Sequence, residues 1–174
     1  MTILHIDSSI SGADSVSRRL TRDVVGQLAR NGARVIHHDL AAEPLAHLSE
    51  RGQDPHFLDE LIAADAVVIG APMYNFTIPT QLKAWLDRLA VAGRSFRYSE
   101  QGPEGLLNGK RVIIALASGG AYEDGSPFEH SKSYLRAFFN FLGIEPEFIT
   151  ATGVALGLDT ALAGASEQIE RLAA

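Results

Sequence analysis

The chain has 174 residues, 46% hydrophobic and 21% charged, with a formal net charge of -6 and no cysteine. That size and balance fit a single folded domain over 1–174 with a sizeable core, and they argue against disorder. The acidic balance argues against nucleic acid or an anionic membrane as main partner, and the lack of thiols excludes disulfides, thiolate metal sites and cysteine nucleophiles.

An anionic ligand is still allowed, because backbone N–H groups and helix dipoles bind anions without net positive charge. The N-terminus, Thr2-Ile3-Leu4-His5-Ile6-Asp7, lacks the basic and long apolar regions of a signal peptide. No apolar run approaches the roughly 18 to 20 residues that span a bilayer. A cytoplasmic location is the expectation.

The first apolar run is Ile3 to Ile6. A helix is expected from Ser15 to Arg30, with Leu20, Val24, Val25 and Leu28 on one face, stopped by Asn31-Gly32. The second run is Arg34 to His37. Ala41 to Phe57 is the least regular stretch and reads as surface loop, and Asp59 to Ala64 is weakly helical. The third run, Asp65 to Gly70, has little polarity on either face, as a central parallel strand would. A helix from Pro79 to Val91 follows, with Pro79 tolerated in its first turn. The fourth run is Arg111 to Leu116, followed by a helix from Phe128 to Leu142 that ends at Gly143. The fifth is Glu147 to Thr150, and a last helix runs from Thr160 to Leu172. Five strands alternating with helices predict a parallel α/β sheet wrapped on both faces, with right-handed crossovers.

Ligands of such sheets bind outside the carboxyl ends of the strands. The loop after strand one, Asp7 to Arg19, holds five serines in eleven residues just before a helix. Its hydroxyls and free N–H groups suit a phosphate, with Arg18 or Arg19 lending charge. The two commonest nucleotide-loop signatures are absent. The alternative is that Ser15 or Ser17 simply caps the helix. The loop after strand three, Gly70 to Pro79, places Met73, Tyr74 and Phe76 close together around Asn75. Apolar surfaces with an amide that can read a heterocycle's edge suit a flat ligand. Each aromatic alone would equally suit core packing or a subunit interface.

The segment Pro72-Met73-Tyr74-Asn75-Phe76-Thr77-Ile78-Pro79-Thr80-Gln81-Leu82-Lys83-Ala84-Trp85-Leu86-Asp87 resembles the hallmark of the FMN-dependent NADH:quinone oxidoreductase and azoreductase family. Ser9 with Ser15-Val16-Ser17 resembles the family's phosphate loop, and Gly93 to Leu106 resembles a later stretch. The resemblance covers nearly the whole chain. It implies a three-layer, flavodoxin-like, doubly wound sheet of order 2-1-3-4-5. It also implies that Ser9, Ser15, Val16 and Ser17 hold the FMN phosphate, that Met73, Tyr74, Asn75 and Phe76 line the isoalloxazine, and that Ala117, Ser118, Gly119 and Gly120 form a third flavin-contacting turn. Relatives often read Ser-Arg-Gly-Gly at that turn, so a hydroxyl and a guanidinium are lost while both glycines remain. Tyr122 stands where some relatives carry histidine. The chain is shorter than typical members, and the resemblance places the missing length in the Ala41 to Phe57 loop.

Members are usually homodimers whose sites take aromatic residues from the partner. Tyr98, Phe138 and Phe141 are candidates, with core packing the alternative for the two phenylalanines. FMN would carry the chemistry. NADH or NADPH would donate hydride, and a quinone or azo compound would then take two electrons in the same place, a ping-pong cycle needing no side-chain nucleophile. Backbone N–H groups of Asn75 or Gly119-Gly120 would stabilise charge near N1. No metal site is expected, since none of the six histidines shows ligand spacing, although His130 lies near the fourth loop. The competing readings are an FMN or chromate reductase of the same fold, and a non-enzymatic flavin electron carrier.

Overall fold

The computed structural model describes residues 1–172. In chain order the elements are β1 (Thr2–Asp7), α1 (Val16–Leu28), β2 (Arg34–Asp39), α2 (His56–Ala63), β3 (Ala66–Pro72), α3 (Thr80–Leu89), β4 (Phe96–Ser99), β5 (Gly102–Gly105), β6 (Arg111–Ala117), α4 (Ser131–Phe141), β7 (Glu147–Ala151) and α5 (Leu158–Arg171). The five long strands pair in parallel in the order β2-β1-β3-β6-β7. That is the expected order 2-1-3-4-5 once the short hairpin β4-β5 is left out of the count.

β3 is buried at all seven positions, which explains why its sequence lacks alternation. Strand residues divide between two apolar clusters by parity. Leu4, Ile6, Val67, Ile69, Val112 and Ile114 pack with Leu58, Leu82, Trp85 and Phe139 of α2, α3 and α4. Ile3, Val68, Ile113 and Ala115 pack with Leu20, Val24, Leu162 and Ile169 of α1 and α5. The period of two in the pleat sends neighbours to opposite faces. Burying one such Leu or Ile contributes about 1.5–3 kcal/mol.

Helix ends follow local chemistry. Ser15 caps α1 by accepting from Arg18 N at 3.2 Å, and Gly32, with φ of 78°, takes the left-handed turn after it. α4 begins at Ser131 instead of Phe128. The Glu129 carboxylate accepts from the N–H groups of Lys132 (2.6 Å) and Ser133 (3.1 Å), so the first turn is capped three residues later than periodicity suggests. α2 starts at His56, ahead of the expected Asp59.

The stretch between β2 and α2 has little regular structure, but it is tethered. The buried Arg88 of α3 donates to Asp54 Oδ2 (2.7 Å), to the Ala46 carbonyl (2.9 Å) and to its own helix at Ala84 (2.8 Å).

Register aligns the carboxyl ends that matter. Pro72 pairs with Ala117 across β3 and β6. Just beyond, Met73 N donates to Ala117 O at 2.8 Å and Ser118 N to Ala151 O at 3.0 Å. The loops after β3, β6 and β7 therefore leave the sheet side by side.

Candidate functional site

The loop after β1 enters α1 with its serines turned inward. Ser9, Ser15 and Ser17 are all buried. Ser15 Oγ and Ser17 Oγ lie 3.1 Å apart, and Ser11 N donates to Ser9 Oγ at 3.2 Å. Among the described residues, the N–H groups of Val16 and Ser17 find no acceptor. Two free donors at a helix N-terminus beside three hydroxyls form an anion seat of neutral groups.

Arg18 does not lend its charge to that seat. Its guanidinium grips both Asp39 oxygens (2.6 and 2.7 Å) and the Ser9 carbonyl (2.8 Å) from behind. The pair is bidentate. The Arg18 hydrogen bonds hold the Asp39 carboxyl down at about 2, against the opposing effect of burial. Arg19 is exposed.

The loop after β3 folds into a two-residue hairpin. Tyr74 N donates to Thr77 O (2.8 Å) and Thr77 N to Tyr74 O (3.1 Å). Both central residues are left-handed, Asn75 with φ of 48° and Phe76 with φ of 72°. This is a type I′ turn, which ordinarily takes Asn then Gly. A phenylalanine at the second position is strained by about 1–3 kcal/mol. It leaves the Phe76 ring exposed, edge-on to Tyr122 (centroids 6.2 Å) and against Phe128 (5.1 Å). Neither the Asn75 side chain nor its N–H has a partner among the described residues. The Tyr74 hydroxyl reaches back to Ser9 Oγ and Ile10 N, each at 3.1 Å.

The third turn, Ala117 to Gly120, is held from below. The segment after β7 donates to it from Gly153, Val154 and Ala155, into the carbonyls of Gly120, Ser118 and Gly119 at 3.0, 3.1 and 3.1 Å. Ser118 Oγ donates to Gly120 O at 2.8 Å, so its hydroxyl shapes the turn. A Cβ at Gly120 would lie 2.8 Å from the Tyr122 ring, so a side chain there would push that ring aside. The N–H groups of Gly119 and Gly120 have no acceptor among the described residues.

These loops enclose one cleft of about 210 Å3, walled by Ser9, Ser15, Val16 and Ser17, by Met73 and Tyr74, and by Ala117, Ser118, Gly119 and Val154. A second cleft of about 240 Å3 opens across Met73 and Ser118 toward Tyr122, Glu129 and Lys132. A larger groove of about 510 Å3 beside β7 and α5 contains none of the site residues, so volume alone does not mark the site.

Nine of the twelve cofactor candidates line the first cleft, while Gly120, Asn75 and Phe76 stand in its turns without lining it. Tyr98 is 76% exposed on the β4-β5 hairpin. Phe138 packs among Tyr134 and Phe139, and Phe141 against Phe96 at 4.5 Å. None of these three lines either cleft of its own chain. His130 meets the site through its backbone, donating to Phe76 O at 3.1 Å. No residue of the 41–57 stretch lines the first cleft.

Three participants escaped the sequence reading. Val154 forms part of the wall. Its signal was its place after a strand on the same carboxyl edge. Phe128 fits the helical period of the residues after it, which hides its place against Phe76 ahead of α4. The Tyr74 bridge to the serine loop has no sequence signature.

An anion seat of serines and helix N–H groups beside an aromatic turn, at the carboxyl edge of a parallel sheet, fits a mononucleotide with a flat heterocycle. A family model described as flavodoxin-like fold matches residues 1–174. A protein of Sinorhizobium fredii named FMN-dependent NADH:quinone oxidoreductase is 50% identical over 183 residues, covering 91% of this chain and 89% of its own. One of the same name from a Bradyrhizobium strain is 46% identical over 201 residues, with both chains covered whole. That alignment is longer than this chain, so the relative carries residues this one lacks. An FMN-dependent NADH-azoreductase from Bacillus anthracis, solved in complex with FMN, superposes with a TM-score of 0.85 at 26% identity, covering 99% of this chain and 98% of that one. The chain belongs to the flavodoxin-like family of FMN-dependent NADH:quinone oxidoreductases.

Proposed function

We propose that the protein binds FMN in the first cleft and moves two electrons from NADH or NADPH to quinones and azo compounds. The observation that carries this is the junction of the two loops: the Tyr74 hydroxyl bonds the serine loop while its backbone starts the aromatic turn. One molecule with a phosphate at one end and a flat ring at the other satisfies both.

Residues Ser9, Ser15 and Ser17 and the N–H groups of Val16 and Ser17 would hold the phosphate. Met73 to Phe76 and the backbone of Ala117 to Gly120 would flank the ring. Bound FMN supplies hydride acceptance and two-electron donation, so no side chain has to act as nucleophile. The unpaired N–H groups of Asn75, Gly119 and Gly120 are the donors available to negative charge at the ring's pyrimidine edge. The exposed rim of Phe76, Tyr122 and Phe128 offers flat apolar surface to nicotinamide and acceptor, which would take the same place in turn, the basis of a ping-pong cycle. The rim also argues against a carrier whose flavin is closed to bulky donors.

We place the chain in one domain, a three-layer, doubly wound sandwich, because the two apolar clusters lie on opposite parities of the strands. We propose a homodimer in the cytoplasm. The exposed Tyr98 and Phe128 are surfaces a second copy can cover, and no described helix is long and apolar enough to cross a membrane. Purified protein should be yellow and should bleach on anaerobic addition of NADH, then recover colour with a quinone. A colourless protein that takes up no FMN would overturn the cofactor. Yellow protein that NADH leaves unbleached would overturn the enzyme reading.

A further inference from the structure

Behind the serine loop, on the face of the sheet that α1 covers, three side chains converge that the flavin chemistry does not use. His5 and Asp7 are two residues apart on β1 and so share a face. The parallel register sets His37 of β2 beside His5. Asp7 Oδ2 lies 3.0 Å from His37 Nε2 and 3.3 Å from His5 Nε2. One donor atom from each residue falls within a span of 4.8 Å, and the two rings are 4.4 Å apart.

We propose that His5, Asp7 and His37 form a binding site for a divalent transition-metal ion of the Zn2+ type. Two imidazoles and one carboxylate are the donor set such ions take, with a fourth position left to water. Tetrahedral bonds of about 2.0–2.1 Å place donors about 3.3 Å apart, close to the separations from Asp7.

Two further observations point to a ligand. His5 Nε2 is buried and makes no hydrogen bond, although Asp7 Oδ2 is 3.3 Å away. With the ring proton on Nδ1, the His5 Nε2 lone pair is the one presented to an ion. Asp7 is already oriented: Thr21 Oγ1 donates to Oδ1 at 2.9 Å, leaving Oδ2 to the two histidines. Such outer hydrogen bonds are typical supports of metal-ligating carboxylates.

The site opens to solvent through a groove of about 490 Å3 that shares no lining residue with the flavin cleft. Arg18 lies close, 3.7 Å from Asp7 Oδ2, and Arg22 lines the same groove. The Arg18 charge is spent on Asp39, whose two oxygens it holds, so it weakens a cation site without closing it. The ligands were invisible as a motif because they come from two strands separated by α1, and only the register unites them. The expectation that the chain has no metal ligands rested on spacing along one segment.

The test uses the FMN-loaded protein freed of metal and titrated calorimetrically with ZnCl2. One Zn2+ should bind per chain and raise the melting temperature. His37→Ala should weaken binding at least about tenfold, while His47→Ala, in the distant loop, should bind as wild type. His37 is 45% exposed, so its loss should leave the fold intact, and retained FMN absorbance checks this. His5→Ala is the second variant and should behave like His37→Ala. Absence of saturable binding, or equal binding by wild type and His37→Ala, would overturn the site.

Discussion

The Tyr74 hydroxyl stands at 3.1 Å from both Ser9 Oγ and Ile10 N, so one atom joins the serine loop, the proposed phosphate end, to the aromatic turn proposed to flank the ring. Each bond is worth about 1 kcal/mol net. Tyr74→Phe keeps the ring surface and removes both bonds. FMN affinity should fall by about five- to thirtyfold, the equivalent of about 1–2 kcal/mol, measured by fluorescence titration of FMN with apoprotein. Global stability should change little, since Tyr74 is only partly buried. An unchanged FMN affinity would show that the serine loop is held without it. The chemistry of Met73 to Phe76 suggests a ligand surface, but the left-handed turn is not legible from it. Nothing in Asn75-Phe76 announces a type I′ geometry, because the usual Gly is absent. That geometry turns the Phe76 ring outward.

Among elements, the long ones were readable and the short one was not. β3 and β6 are buried nearly end to end, so their composition alone marks them. The β4-β5 hairpin has four residues a side, and β5 reads Gly-Pro-Glu-Gly. Its pairing is decided by contact instead of propensity. Gly105 shows why: a Cβ there would fall 2.0 Å from Gly143 N, at the end of α4. Backbone meets backbone, and Gly143 itself has φ of 87°. Gly105→Ala should therefore destabilise the protein by about 3 kcal/mol, the upper end for overpacking, seen as a lowered denaturant midpoint. A variant as stable as wild type would mean that the hairpin can shift away from α4 at no cost.

For the whole molecule, the Arg18–Asp39 pair should couple pH to cofactor retention. Asp39 in the folded chain titrates at about 2, below its ordinary 3.8, chiefly because Arg18 donates to it. A depressed carboxylate stabilises the fold above its unfolded value and loses that effect as pH falls toward the folded one. Asp7 shifts the same way. Burial is the largest influence on it and opposes ionisation, but His5, Thr21 and His37 together outweigh it. Since Arg18 also holds the Ser9 carbonyl, acid should loosen the phosphate loop. FMN should be released between about pH 4 and pH 2, read by ultrafiltration. Asp39→Asn should hold FMN more weakly at neutral pH and show a shallower acid dependence. An identical acid profile in that variant would remove the pair from the account.

Arg88 gives the 40–55 stretch a property its irregular backbone conceals. Two hydrogen bonds from one buried guanidinium reach the loop on either side of Arg51, at Ala46 and at Asp54, and a third stays within α3. A protease needs the segment it cuts to leave its place and lie extended in the active-site groove, which is why free loop tips are the preferred cutting sites. Arg51 is exposed and would look, from sequence, like an easy cut for trypsin. With both flanks moored to α3, the folded protein should be nicked there only when α3 itself lets go.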